Sequence, residues 1–90
     1  MIYNESNMAK NFITEENRIY LPDNDWNTLA EITFEKINKT TYDIYHTFVD
    51  ESMRWQGIAD ELVQKAQEYI SRQWFSVTAS CPFAKKHLKK

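Results

Sequence analysis

The spacing of hydrophobic side chains changes twice between residues 29 and 81, and this order constrains the fold more than any other feature. Over residues 29–37 apolar and polar side chains alternate, and residues 42–49 are almost wholly apolar or aromatic. Both patterns are typical of β-strands. Over residues 57–73 the apolar side chains recur at helical spacing, and residues 74–81 alternate again. The sequence therefore predicts two strands, a helix and a further strand.

Two shorter patterns precede these elements. Residues 17–21 are a short strand candidate, and a further strand is predicted around residues 11–14. The run Pro22-Asp23-Asn24-Asp25 combines residue types that favour a turn, so it separates strand 17–21 from strand 29–37. Consecutive strands with short connections predict an antiparallel meander.

A proline follows the last strand. Because proline is well tolerated at the first position of a helix, Pro82 predicts a C-terminal helix over residues 83–90, with Cys81 as its N-cap. A strand, helix, strand crossover is right-handed and leaves its two strands parallel. We therefore predict an α+β fold, in which an antiparallel meander is followed by a βαβ unit with a parallel strand pair and a C-terminal helix.

The length of the chain limits it to one small domain. Ninety residues bury about 60–65% of the unfolded surface, so we expect a single domain over residues 1–90, with residues 1–16 either flexible or adding a strand. Cys81 is the only cysteine, which excludes an intramolecular disulfide and suits a reducing compartment. The sequence has neither an apolar run long enough to span a membrane nor the apolar core of a signal peptide. We expect a cytoplasmic protein, monomeric or weakly dimeric.

The two halves of the chain carry opposite charge. Through Glu51 there are four basic against ten acidic side chains, a net charge of −6, whereas from Ser52 onward seven basic against three acidic side chains give +4. One interpretation is a solvated surface whose charges happen to segregate. The other is that the second half holds an anionic ligand while the first half attracts a cation.

The only glycine stands where a strand gives way to the long helix. A glycine there lets the backbone approach a ligand closely, and the free N–H groups at the start of the helix can bind phosphate oxygens. Alone, such a glycine more often marks a turn than a phosphate site. Gly57, however, lies in a longer pattern, since residues 49–59 read V-x-x-x-x-R-x-x-G-x-A.

That pattern resembles the acetyl-CoA-binding motif of the GCN5-related N-acetyltransferase (GNAT) superfamily, which also lies on a strand, loop and helix. His46-Thr47-Phe48-Val49 and Cys81-Pro82-Phe83-Ala84-Lys85 resemble the H-T-x-V and C-x-[FY]-x-K elements of a short, single-domain GNAT-like branch. The resemblance runs from about residue 17 to the C-terminus. The chain departs from the branch at three positions. The branch usually has small or basic residues where Trp55 and Gln56 stand, and a polar residue where Pro82 stands.

The resemblance implies a cofactor and its site. In GNAT folds the last two parallel strands splay apart, and the pantetheine arm of acetyl-CoA inserts between them. Backbone N–H groups near Phe48 and Val49 would then stabilise the oxyanion that forms from the acetyl carbonyl. The implied acetyl-CoA-binding residues are Phe48, Val49, Arg54, Trp55, Gln56, Gly57, Ile58, Ala59 and Phe83.

The same resemblance implies two catalytic candidates. Cys81 at a helix N-terminus would have thiolate character, and His46 one strand away would act as general base if the strand register turns both toward one cleft. Each has a simpler interpretation, Cys81 as a small buried apolar residue and His46 as a hydrogen-bonded core histidine. Acetyl transfer could proceed by direct attack of the amine or through a thioester on Cys81. His87 is predicted to be a surface residue.

The function implied by the resemblance is an acetyl-CoA-dependent N-acetyltransferase that acts on an amine such as a lysine side chain, a polyamine or a small amine. The alternative is a GNAT-fold module that binds coenzyme A or a protein partner without turnover. The net charge of −2 and the lack of a Lys/Arg-Gly-Phe-like signature argue against nucleic-acid binding, and no spacing of Cys, His and carboxylates indicates a metal site.

Overall fold

A computed structural model describes residues 11–88, which form five strands and two α-helices joined by short connections. The predicted order of elements is confirmed. The part of the predicted N-terminal segment that precedes residue 11 lies outside the described residues. The strands are β1 Ile13–Glu15, β2 Arg18–Pro22, β3 Thr28–Asn38, β4 Thr41–Val49 and β5 Ser76–Ala79, and the helices are α1 Ile58–Ser71 and α2 Pro82–His87, with a 3-10 turn at Glu51–Met53.

The strands form one sheet in the order β1-β2-β3-β4-β5. The first four strands pair antiparallel, and β5 pairs parallel to β4 from Thr41 opposite Ser76 to Ile44 opposite Ala79. This topology confirms the predicted α+β fold with an antiparallel meander and a βαβ unit. The parallel step lies at the edge of the sheet where the chain continues into α2.

The turn between β2 and β3 is built on Asp23. Its Oδ1 accepts the N–H groups of Asp25 at 2.8 Å and Asn27 at 2.9 Å. The N–H of Asn27 is the main reason that the pKa of Asp23 lies below its ordinary value. The turn predicted from Pro22 to Asp25 is therefore closed by a carboxylate, as expected for this residue type.

The core lies between α1 and one face of the sheet. The apolar stripe of α1 is buried, and it packs on the alternate residues of β3 that the sequence placed on one face. Burial of each of the larger aliphatic and aromatic side chains contributes about 1.5–3 kcal/mol. The buried residues are Ile58, Leu62, Val63, Ala66 and Ile70 of α1, Ala30, Ile32 and Phe34 of β3, Tyr42 and Ile44 of β4, and Ile19, Leu21 and Ala84.

The elements around α1 are shorter than the periodicity predicts. The helix ends at Ser71 because the chain closes a tight turn, in which Trp74 donates its N–H to the Ser71 carbonyl and adopts a φ of +69°. Strand β5 ends at Ala79 because the N–H groups of Ser80 and Cys81 both bond to the carbonyl of Ile44. Helix α2 begins at Pro82 with Cys81 as N-cap, as predicted, and ends at His87.

Strand β4 is less buried than its apolar sequence predicts. Tyr42 and Ile44 are buried, but Tyr45 is 49% exposed and Phe48 is 39% exposed. Helix α1 covers one face of the sheet, and within residues 11–88 no second layer covers the other face. None of the described helices is long and apolar enough to cross a membrane.

Candidate functional site

Strands β4 and β5 separate halfway along β4. Their pairing ends at Ile44 and Ala79, where the Ile44 carbonyl accepts the N–H groups of Ser80 at 3.0 Å and Cys81 at 3.1 Å. Beyond this point β4 continues to Val49 along β3, whereas the other chain turns away into α2. The second half of β4 therefore has a neighbouring strand on one side and an open gap on the other.

A β-bulge at Tyr45 sets which residues of β4 line that gap. Ile44 lies opposite Phe34 and His46 lies opposite Thr33, so Tyr45 has no partner of its own on β3. Because side chains alternate, this extra residue exchanges the faces of the odd and even positions. Before the bulge the even-numbered residue Ile44 faces α1. After the bulge the odd-numbered residues Thr47 and Val49 face α1.

The bulge also turns the backbone of the same two odd residues toward the gap. The N–H of Asp50 donates to the carbonyl of Leu29 on β3 at 2.6 Å, so the alternation of an antiparallel ladder directs the backbone of Phe48 to β3 as well. The N–H groups of Thr47 and Val49 point to the other side. Of the two oxyanion donors expected from the sequence, Val49 thus faces the gap and Phe48 does not.

The gap opens into a cleft of about 530 Å³ on the α1 side of the sheet. Its walls are the end of β4, the loop before α1, the first turn of α1 and helix α2. The lining residues are Thr47, Val49, Met53, Arg54, Trp55, Gly57, Ile58, Ala59, Asp60, Phe83 and His87. Among the predicted cofactor residues, Phe48 and Gln56 are absent from this lining.

The first turn of α1 presents unpaired backbone donors to the cleft. Gly57 precedes the helix with a φ of +74°, a conformation that L-residues with side chains rarely adopt. A Cβ on Gly57 would meet nothing within 4 Å, so its backbone conformation rather than packing explains the glycine. The first helical bond runs from the Glu61 N–H to the Gly57 carbonyl, which leaves the preceding N–H groups free for an anion.

The loop between β4 and α1 is closed by Asp50 and carries the cation Arg54. Asp50 accepts the hydroxyl of Ser52 at 2.6 Å and its N–H at 3.0 Å. These bonds, with a smaller contribution from the charge of Arg54, hold the pKa of Asp50 below its ordinary value. Trp55 follows with a φ of +69° and a fully exposed side chain at the rim of the cleft.

Cys81 lies where the strands separate, beside Thr47. Its Sγ is 3.7 Å from the Thr47 Oγ1. Burial raises the pKa of the thiol, but polar groups around the sulfur outweigh it and hold the pKa below its ordinary value: the Ala84 N–H first, then the Thr47 hydroxyl and the N–H groups of Phe83 and Thr47. The surroundings of Cys81 therefore favour a thiolate, as a reactive cysteine requires.

His46 is on the opposite face of the sheet from Thr47. It lies across from Thr33, and its Nε2 is 3.9 Å from Oε2 of Glu31. The register therefore does not turn His46 and Cys81 toward one cleft, because the bulge at Tyr45 moves His46 off the α1 side. Its side chain is 51% exposed, so it is not the hydrogen-bonded core histidine of the simpler interpretation.

Two residues that sequence reasoning did not assign to the site meet across the cleft. His87, predicted to be a surface residue, is half-buried, and its Nδ1 lies 3.0 Å from Oδ1 of Asp60. The carbonyl of His87 accepts a hydrogen bond from Nε2 of Gln64 at 3.0 Å. The sequence spacing could have indicated both residues, because each lies about one helical turn after a predicted site residue. Asp60 lies three residues after Gly57, and His87 lies four residues after Phe83.

Comparisons with known proteins agree with this architecture. A family model described as GCN5-related N-acetyl-transferase matches residues 18–90. Protein NATD1 of Xenopus tropicalis is 28% identical over 60 residues, which are 67% of this chain and 55% of that protein. The chain thus spans about half the length of that relative.

Solved structures show the same fold. A GCN5-like protein from Staphylococcus aureus, determined by NMR, is 31% identical with a TM-score of 0.71, over 87% of this chain and 76% of that one. GCN5 from Tetrahymena is 12% identical with a TM-score of 0.64, over 81% of this chain and 51% of that one. The second likeness concerns the fold alone.

Proposed function

The chain belongs to the GCN5-related N-acetyltransferase family, and on this premise we propose that it binds acetyl-CoA in the cleft and transfers the acetyl group to an amine. The main support for the proposal is that the unpaired half of β4 lies next to the free N-terminus of α1. That place combines N–H donors for a carbonyl with N–H donors for phosphate oxygens.

The residues of the cleft fit the parts of the cofactor. The first turn of α1 after Gly57, together with Arg54, suits the diphosphate group, because aligned N–H groups and a cation both stabilise negative charge. Val49, Ile58 and Phe83 supply apolar contacts for the pantetheine arm. The basic character of the second half of the chain agrees with an anionic ligand on this side.

Acetyl-CoA supplies an activated acetyl thioester. We propose that Cys81 accepts the acetyl group, since it contacts Thr47 of the cleft wall although it does not itself line the cleft. On this route the Cys81 thiolate would take the acetyl group from the thioester with release of the coenzyme A thiol, which takes up a proton, and the Thr47 and Val49 N–H groups would stabilise the oxyanion. The amine then attacks acetyl-Cys81, loses a proton and restores the thiolate. Direct attack of the amine on acetyl-CoA is the alternative route, in which Cys81 only contacts the cofactor.

We place the amine acceptor on the sheet face opposite α1. That face carries His46 on the unpaired half of β4 and Glu31 on the neighbouring strand β3. A protonated amine is a cation. Oε1 of Glu31 already accepts a hydrogen bond from Nε of Arg18 at 2.8 Å, so Oε2, 3.9 Å from Nε2 of His46, is the oxygen that would face the amine. His46 would take the proton of the amine before attack. Lysine side chains, polyamines and small amines all fit this description.

Acetyl-CoA binding tests the proposal through Gly57. Asn and Asp have nearly the same size and both tolerate a positive φ better than other side chains, so Gly57→Asn is the matched control for Gly57→Asp. The negative charge of Gly57→Asp should weaken acetyl-CoA binding at least tenfold relative to Gly57→Asn, measured by calorimetry and thermal shift. Equal affinities, or no binding by the wild type at millimolar ligand, would overturn the cofactor site.

Turnover is tested separately. Incubation with labelled acetyl-CoA and a panel of amines, followed by mass analysis of protein and amines, should detect acetyl-amine and, on the thioester route, acetyl-Cys81. Binding without any acetylated amine would instead support the non-catalytic module.

A further inference from the structure

The cleft contains a carboxylate that is unfavourable for its proposed ligand. Asp60 lies in the first turn of α1, where a negative side chain stabilises the helix dipole. It also lines the cleft, close to the N–H groups that would receive a diphosphate. An unpartnered carboxylate there would repel a phosphate anion, since like charges a few ångströms apart oppose each other.

His87 is the partner that this carboxylate has. An ionised carboxylate can only accept hydrogen bonds, so Nδ1 of His87 must carry the proton in the 3.0 Å contact with Oδ1 of Asp60. The imidazole makes this bond in both its neutral and its charged form, and in the charged form it also cancels the charge of Asp60.

The ring of His87 is held in place from two further sides. Its centroid lies 4.3 Å from that of Phe83, one turn earlier on α2. The Gln64 side chain donates to the backbone carbonyl of His87 at 3.0 Å and so ties the end of α2 to α1. His87 therefore reaches Asp60 from a fixed position on the opposite wall of the cleft.

We propose that His87 is a positioning residue of the cofactor site. By hydrogen bonding to the carboxylate of Asp60, it reduces the repulsion between this carboxylate and the diphosphate group of coenzyme A. This inference rests on the proposed function, because it names a residue that selects for the anionic part of the same ligand. It also links the docking of α2, through Gln64 and Asp60, to cofactor binding. The mechanism requires no direct contact between His87 and the phosphates.

The experiment is a double-mutant cycle read by acetyl-CoA affinity. His87→Leu keeps an apolar group beside Phe83 and removes the donor, and it should weaken binding about fivefold. Asp60→Asn alone should bind at least as tightly as the wild type. The double variant Asp60→Asn with His87→Leu should recover the wild-type affinity, although it still lacks the contact between α1 and α2.

The neighbouring carboxylate of Glu61 provides the matched control. Glu61 lies in the same turn, pairs with Lys65 at 3.9 Å and does not line the cleft. In the His87→Leu background, Glu61→Gln should therefore leave the affinity within twofold of His87→Leu alone. Thermal unfolding of every variant shows whether a loss of affinity follows a loss of folded protein.

The outcomes separate the two claims. If Asp60→Asn fails to rescue His87→Leu, or Glu61→Gln rescues it equally well, His87 acts only through packing and the proposal is wrong. If His87→Leu binds acetyl-CoA as tightly as the wild type, this proposal falls and the proposed function stands. A wild-type protein that binds no acetyl-CoA overturns both.

Discussion

At the scale of single residues, the site depends on what surrounds one sulfur atom. Judged by residue type alone, Cys81 is a small apolar side chain. Its position at the start of α2 changes the pKa of its thiol. The N–H groups of Phe83 and Ala84, with the hydroxyl and N–H of Thr47, lower the pKa of its thiol against the effect of burial. Thr47 contributes a hydroxyl that no other residue type of the same shape would supply.

We expect Thr47→Val to raise the pKa of Cys81, since the variant keeps the volume and the backbone N–H but loses the hydroxyl, 3.7 Å from the sulfur, that lowers this pKa. A raised pKa means less thiolate at neutral pH, so alkylation of Cys81 by iodoacetamide should be several-fold slower near pH 7. The rates of variant and wild type should converge at high pH, where both thiols are ionised. Superimposable pH profiles would show that Thr47 does not tune the thiol.

Cys81→Ala distinguishes the two chemical routes. On the thioester route it should abolish acetyl transfer and spare acetyl-CoA binding, because the variant removes only the nucleophile. Steady-state turnover and calorimetry on the same preparation measure the two effects. Turnover at the wild-type rate would eliminate acetyl-Cys81 as an intermediate and leave direct attack by the amine.

At the scale of elements, the sequence predicts the fold well and the site less well, for different physical reasons. Periodicity reports burial, so the stripe of α1 and the alternating strand β3 could be read directly. The bulge at Tyr45 adds one residue without disturbing the apolar character of β4, and no propensity reveals it. Simple alternation from Ile44 assigns His46 and Phe48 to the cleft side, whereas Thr47 and Val49 occupy it.

The turn after α1 offers a stability test that is independent of function. Trp74 holds a φ of +69° with a side chain that is 94% exposed, so it contributes backbone strain and little packing. Trp74→Gly should stabilise the fold by about 0.5–1 kcal/mol because glycine adopts this conformation without strain. Urea unfolding measures the change, and a destabilised variant would mean that the indole makes contacts that outweigh the strain.

At the scale of the whole molecule, the two halves of the chain carry opposite charge, as an anionic cofactor and a cationic acceptor would require. The acidic first half carries Glu31 on the sheet face opposite α1, and the basic second half carries Arg54 in the lining of the cleft. The opposite net charges of the two halves can be counted in the sequence. Which charged residues face the cleft can be known only from the fold. His87 and Asp60 were missed for the same reason, since they are separated by 27 residues and meet only in the folded chain.

This division predicts a dependence on salt. Raising the ionic strength from about 0.05 M to about 0.5 M shortens the screening length from roughly 14 Å to roughly 4 Å, so the affinity for acetyl-CoA should fall several-fold. Acetyl-pantetheine, which lacks the phosphates, should lose little. Calorimetry at the two ionic strengths makes the comparison, and equal losses for both ligands would indicate that charge does not guide binding.

We propose that acetyl-CoA occupies the gap between β4 and α2 on the α1 side of the sheet. Titration of the isotope-labelled protein with acetyl-CoA, followed by the amide resonances in two-dimensional NMR spectra, tests it residue by residue. We expect the largest changes at Thr47, Val49, Gly57 and the first turn of α1, with small changes at Ile19 and Leu21. Changes confined to the opposite face of the sheet, or none at saturating ligand, would contradict it.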